Sequence, residues 1–310
     1  MKDRIIFIVG PTAIGKSEVS LRLAGKLNAE IVSCDSMQIY RGMNIITSKP
    51  SPAMRKKIRH HLVDFISPAA EYDVTTYRRQ ALKKIKEIIK KKKIPLFVGG
   101  TGLYMSILID GIFKAKAQNK KIRQRLYEEL EEFGREYLFD KLKNVDPEAA
   151  AKIHPNDSRR IIRALEVFES TGKTISDLKK QRKGLGEKYE IAIFCLNMDR
   201  QELRDRIKRR VDKMFSRGLA AEVKKLLKQK LSKTASQAIG IKELRGYFDG
   251  LYDLEKTREI ITQSTCQYAK RQLTWFRKDK RIQWIEIGCK ETPQSIAKRI
   301  YKKIIYGIVK

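Results

Sequence analysis

At 310 residues, with 42% hydrophobic residues including 11 Phe, 12 Tyr and 2 Trp, the chain can bury one large core or two modest ones, yet no run approaches the ~18 apolar residues of a membrane span. Sixty-eight Lys and Arg against 36 Asp and Glu give a net charge of +32, which draws polyanions to the surface and favours nucleic acid over membrane as partner; lysine-rich helix faces such as KKIKEIIKKKK (83–93) are the plainer source of the same charge. The four cysteines, Cys34, Cys195, Cys266 and Cys289, are isolated and lack CxxC spacing, which excludes a disulfide framework or zinc ribbon and fits reduced thiols in the cytoplasm.

In chain order, RIIFIVG (4–10) reads as a buried first strand, too short and too quickly followed by a loop motif to be a signal peptide. A glycine loop and the helical pattern KSEVSLRLAGKL (16–27) follow. AEIVSCD (29–35) is a second strand ending in a carboxylate, and HHLVDFI (60–66) a short third. VTTYRRQALKKIKEIIKKKK (74–93) has helical spacing, and IPLFVGGTG (94–102) is a strand running into glycines. Continuous apolar strands joined by helices predict a parallel α/β sheet covered on both faces. The texture changes near Asp110-Gly111, and residues 115–187 contain only charged helical stretches. EIAIFCLNM (190–198) returns to the sheet, helices run on through 278, and RIQWIEIG (281–288) adds a last strand. The expected organisation is an α/β core, 1–114 and 188–310, interrupted by a helical insertion, 115–187.

GPTAIGKS (10–17) fits G-x-x-x-x-G-K-[ST] at every fixed position, roughly a one-in-a-hundred chance event in a chain of this length. The strand before it and the helix after it give the motif its expected context. In Gly10, Pro11, Thr12, Ala13, Ile14, Gly15, Lys16 and Ser17, the amides of 12–17 would wrap a phosphate, Lys16 adds a point charge, and the Ser17 hydroxyl can hold Mg²⁺. Such a loop specifies a di- or triphosphate but not the reaction. FVGGTG (97–102) ends without the carboxylate an ATPase would place there, whereas IVSCD ends with Asp35. Chemistry alone leaves Asp35 as a general base, an Mg²⁺ ligand or a helix cap.

GPTAIGKS, DSMQIYRGMNIITSKP, HHLVD, VGGTGLY, RRIIRALEV, RGLAAEV, QAIGIKEL and YAKRQLTWFR occur in this order over residues 10–277. Together they resemble the tRNA dimethylallyltransferase family, whose P-loop NTPase-like core carries a helical insertion. The resemblance implies transfer of a dimethylallyl group from dimethylallyl diphosphate to N6 of adenine 37, beside the tRNA anticodon. It implies Asp35 as the base that takes the N6 proton, Thr101 beside the target nucleotide, and Arg217 on the diphosphate. Lys16, the loop amides and Mg²⁺ on Ser17 would take up the charge of the leaving diphosphate.

For tRNA the resemblance implies Ser36, Met37 and Gln38 at the displaced adenine, and Arg123, for which Arg125 competes. It further implies a strip of Arg159, Arg160, Ile161, Ile162 and Arg163, and a second of Gln237, Ala238, Ile239, Gly240, Ile241 and Lys242. A third strip is Lys270, Arg271, Gln272, Leu273, Thr274, Trp275, Phe276 and Arg277, in which Trp275 and Phe276 either stack on bases or pack in the core. Two residues depart from the family pattern: Ile14, where a small residue is usual, and Ile46, where glycine is common. No zinc-finger extension is present, as in bacterial relatives, and a cytoplasmic monomer is expected. The rivals are an adenylate dimethylallyltransferase, for which the insertion and the +32 charge have no use, a small-molecule P-loop kinase, and an RNA-binding protein with a vestigial loop.

Overall fold

The computed structural model describes residues 2–113 and 119–307. Its parallel sheet contains β1 (Arg4–Val9), β2 (Ala29–Ser33), β3 (His60–His61), β4 (Ile94–Gly99), β5 (Glu190–Asn197) and β6 (Gln283–Glu286), in the order β3-β2-β4-β1-β5-β6. Strands without polar alternation need cover on both faces: Ile5, Ile6, Phe7 and Ile8 are fully buried, and so is all of β2. Phe7 pairs with Phe97 of β4, the two rings stacking at 4.8 Å.

Helices α1 (Lys16–Leu27), α2 (Pro52–Lys57), α3 (Val74–Lys90) and α4 (Gly102–Ile109) precede a separate unit, Asp110–Glu187. That unit contains α5 (Lys120–Val145), α6 (Pro147–Ala150), α7 (Ser158–Thr171) and α8 (Ile175–Lys180), with no strand among its described residues. Gly134, at φ 81° and ψ −177°, kinks α5, and Leu126, Leu138, Leu142, Ile161, Ile162 and Leu165 form the unit's own core. The chain completes the first unit with α9 (Arg200–Ser216), α10 (Leu219–Leu227), α11 (Ile241–Phe248), α12 (Leu254–Phe276) and α13 (Pro293–Ile305).

Three helices, α2, α4 and α13, escaped the sequence reading. GLYMSILI is apolar all round and forms the buried α4, while α2 starts on Pro52 behind a Ser51 cap. The lysine run at 83–93 is the solvated side of α3, whose Ala81, Ile85 and Ile88 face inward. Among the described residues no helix is long and apolar enough to cross a membrane. Cys34 and Cys195 are buried, Cys266 is half-buried and Cys289 exposed, all four as free thiols.

The chain's first strand lies mid-sheet, with β4 on one side and β5 on the other. The path from β1 to β2 therefore leaves a gap that β4 later fills, and the C-terminal ends of β1, β4 and β2 converge. Ligands of open parallel sheets bind at such a point.

Candidate active site

Most helices here begin on a side-chain cap: Asp73 on α3, Asp157 on α7, Asp199 on α9 and Asp253 on α12. α1 does not. It starts on Gly15 at φ 95° with no side-chain cap, behind Ala13 at φ 66° and Gly10 at φ 142°. Left-handed residues interspersed along the turn fold it into an anion-binding concavity at the positive end of α1. A Cβ on Gly10 would sit 2.8 Å from the Leu196 carbonyl oxygen, so no other residue fits there. Ile14, one of the two departures, is 1% exposed and turns its side chain into the core, so the loop keeps its backbone course. Ile46, the other, is buried against Gly240, and its N–H donates to Glu222, which also accepts from Asn44 and Ile45.

Lys16 folds back over the loop, its Nζ donating to the carbonyl oxygens of Gly10 at 2.9 Å and Pro11 at 2.7 Å. Burial pushes its pKa down to about 8; the Asp35 carboxylate opposes that shift and the Arg210 guanidinium adds to it. Lys16, Asp35 and Arg210 line a cavity of about 340 Å³ with Ser17, Gln38, Thr47, Lys213, Arg217 and Tyr268. A larger groove of about 710 Å³ between α9 and α12 shares no residue with it and contains none of the loop, so chemistry and not volume picks the site.

Asp35 follows β2, with Cys34 N–H on the Val98 carbonyl at 2.8 Å and Thr101 N–H on the Cys34 carbonyl at 3.1 Å. Gly99 permits this approach, since any Cβ there would overlap the Cys34 carbonyl. Asp35 Oδ1 accepts the N–H groups of Met37 at 2.9 Å and Gln38 at 3.3 Å, whereas Oδ2 has no hydrogen-bond partner among the described residues. The capping role is thus real, but it occupies one oxygen and leaves a half-buried carboxylate on the cavity wall. Thr101 Oγ1 accepts from Ser36 N–H at 3.1 Å, which ties the two strand ends together.

Sequence reasoning missed Arg210. It stands on α9 with its Nη1 donating to Thr12 Oγ1 at 2.8 Å, burial lowering its pKa and Asp35 opposing that change. Arg217, the guanidinium singled out from the sequence, ends the same helix on the cavity's exposed margin. Thr12 also departs from expectation. Its N–H donates to Gln272 Oε1 at 2.8 Å and is not free to wrap a phosphate.

The three basic strips divide by helix face. Arg159 and Arg160 are exposed, but Ile161 and Ile162 are 1% exposed in the helical unit's core and offer RNA no surface. Ile162→Ala should therefore destabilise that unit by about 2–5 kcal/mol in chemical denaturation, as for any buried large-to-small change. Gln237 and Lys242 are exposed and Ile239 is half-buried, while Ala238, Gly240 and Ile241 are buried. Lys270, Arg271, Thr274 and Arg277 are exposed and Leu273 is half-buried, whereas Gln272 and Phe276 are buried, so Phe276 packs in the core and does not stack on a base. Trp275 lies on Gly102, whose Cβ position its ring fills. Both candidate arginines of α5 are already paired: Arg123 with Glu166 at 2.6 Å, a carboxylate shared with Arg163 at 3.0 Å, and Arg125 with Glu129 and Glu169.

A parallel sheet with a phosphate loop at the turn from β1 to α1, and a carboxylate beside it, defines a phosphate-loop α/β protein with chemistry at its strand ends. Residues 38–279 match the family model described as IPP transferase, and the chain belongs to that family. It is 44% identical over 305 residues to a tRNA dimethylallyltransferase of Alkaliphilus oremlandii, covering 97% of each chain. Identity reaches 45% over 302 residues with the one of Carboxydothermus hydrogenoformans, again 97% of each. Among solved structures it is similar to the full-length tRNA isopentenylpyrophosphate transferase of Bacillus halodurans, with TM-score 0.72 and 38% identity over 99% of this chain and 97% of that one. A eukaryotic dimethylallyltransferase acting on tRNA gives TM-score 0.81 at 30% identity, over 99% of this chain and 79% of the other.

Proposed function

We propose that this chain transfers a dimethylallyl group from dimethylallyl diphosphate to N6 of adenine 37 in tRNA, releasing diphosphate. The observation that carries the reading is Asp35, a carboxylate sharing one cavity with Lys16, Ser17 and Arg210 in a chain of this family. The N6 lone pair forms a bond to the allylic carbon, the carbon–oxygen bond to diphosphate breaks, and its electron pair leaves with the diphosphate. The N6 proton passes to Asp35. An exocyclic adenine amine is a poor nucleophile because its lone pair is delocalised into the ring, so removing that proton as the bond forms is where a positioned carboxylate counts.

Lys16, Arg210 and the open amides of α1 stabilise the charge gathering on the diphosphate, with Arg217 and Lys213 at the margin. The Ser17 hydroxyl is a hard oxygen donor on the cavity, one that fits Mg²⁺ once diphosphate oxygens join it. When bound, Mg²⁺ would supply further charge neutralisation on the leaving group. Thr101, Ser36, Met37 and Gln38 border the adenine. The exposed Arg159, Arg160, Lys242, Lys270, Arg271 and Arg277 hold RNA phosphates, and a tRNA substrate favours the cytoplasm as the place of action.

The test is an incubation with radiolabelled dimethylallyl diphosphate and Mg²⁺, with unmodified tRNA, AMP and ATP in separate tubes. Label in tRNA and none in AMP is expected. Label in AMP alone moves the substrate to a free nucleotide, and ATP consumption without any labelled product makes the protein a small-molecule kinase.

A further inference from the structure

Gln272 belongs by sequence to a basic strip, yet it is 6% exposed and faces away from the strip's cations. Its Oε1 accepts Thr12 N–H at 2.8 Å, and its Nε2 donates to the Gly100 carbonyl at 2.9 Å. One amide thereby spans from the phosphate loop to the turn that carries Thr101. The amide does both jobs at once, whereas an ionised glutamate lacks the donor and leucine lacks both groups.

Its neighbours on the same helix face make a pattern. Tyr268, Gln272 and Trp275 stand at i, i+4 and i+7 of α12, hence on one side of it. Tyr268 lies beside Thr101, Gln272 meets Gly100, and Trp275 covers Gly102. Three successive residues of the Gly100–Gly102 turn are thus each met by one side chain of α12. Thr12, at the other end of the bridge, is also held through its hydroxyl by Arg210.

Building on the proposed reaction, we propose that Gln272 is a positioning residue, whose amide locks the phosphate loop to the Gly100–Gly102 turn and so fixes the spacing between donor diphosphate and acceptor adenine. It borders the same cavity, but both polar ends of its amide are taken up by the loop and the turn, so it acts through them. Transfer requires the reacting atoms held at near-contact distance, and a displacement of about 1 Å costs such reactions on the order of a hundredfold.

Gly100 offers an independent way to break the bridge. Its backbone is not in the left-handed region, and a Cβ there would overlap Gln272 Nε2, the far end of a flexible side chain. Gly100→Ala therefore evicts the amide without straining the backbone. The experiment compares Gln272→Leu, Gly100→Ala and the double variant in single-turnover transfer at saturating tRNA and dimethylallyl diphosphate. Separate titrations with tRNA and with inorganic pyrophosphate, and melting temperatures, accompany it.

Each single variant should lose about ten- to a hundredfold in rate. Both dissociation constants should stay within about threefold, and the double variant should be no slower than the slower single, as expected for two changes that break one bridge. Wild-type rates in the folded single variants overturn the proposal, as do losses that multiply in the double variant. Failure of Gly100→Ala to fold also overturns it, because only a side-chain end should move. If the wild type itself modifies no tRNA, the functional reading has failed; if it does and the variants match it, only the role of Gln272 has.

Discussion

Asp35→Asn should lower the transfer rate about a thousandfold, within the range of about 10²–10⁴ that a positioned general base contributes, while leaving tRNA affinity nearly unchanged. Asparagine is the informative replacement because Asp35 has two duties. Its Oδ1 caps the turn at Met37 and Gln38, and an asparagine oxygen accepts those same N–H groups. What asparagine cannot do is take a proton. Asp35→Ala would remove cap and base together and would disturb Ser36–Gln38, which border the cavity. The split is therefore in kcat and not in the KM for tRNA, measured by steady-state transfer and by filter binding. Undiminished turnover in Asp35→Asn would remove Asp35 as the base and leave it a cap.

Lys16→Ala should cost about 10²–10³ in kcat/KM for dimethylallyl diphosphate, the loss seen when one preorganised donor to a developing anion is removed, with tRNA binding intact. The wild-type protein adds a pH signature. Burial holds the Lys16 pKa at about 8, below its usual 10.5. Below pH 8 the ammonium is present before ligand arrives. Above it, diphosphate binding must draw a proton from solvent, so affinity falls as pH rises, by up to about tenfold per unit. Pyrophosphate titrations from pH 7 to 9.5 measure this directly. Lys16→Arg should flatten the dependence, since a guanidinium stays charged throughout. A wild-type affinity constant across that range would mean that the Lys16 charge does not bear on the diphosphate.

What the sequence disclosed and what it hid follow from geometry. The phosphate loop is contiguous, and its Gly-Lys-Ser spacing is dictated by a backbone wrapping an anion, so residues 10–17 are legible as a string. The strands are legible because burial on both faces leaves unbroken apolar runs. Arg210 is harder, being one of several cations in RDRIKRRVDK. Only the phase of α9 singles it out: Leu203, Ile207, Val211 and Met214 face inward, and Arg210 falls on that stripe. Gln272 gives the same signal on α12, lying between the buried Ala269 and Phe276. Resemblance along a contiguous strip cannot separate faces in this way. It carried Ile161, Ile162, Ile241 and Phe276 along with the cations beside them, although helical periodicity sends those side chains into cores. Asp35 stayed ambiguous for a different reason: a carboxylate has two oxygens, and here one caps a turn while the other stands ready for chemistry.

Nucleoside analysis of the reacted tRNA tests the central claim most directly. Unmodified tRNA is incubated with dimethylallyl diphosphate and Mg²⁺, digested to nucleosides and resolved by mass, with released diphosphate measured in the same tube. One N6-dimethylallyladenosine per diphosphate released is the expected result, and it should vanish in Asp35→Asn. Diphosphate released without a modified adenosine, or the group found on any atom other than an adenine N6, would contradict the proposed transfer.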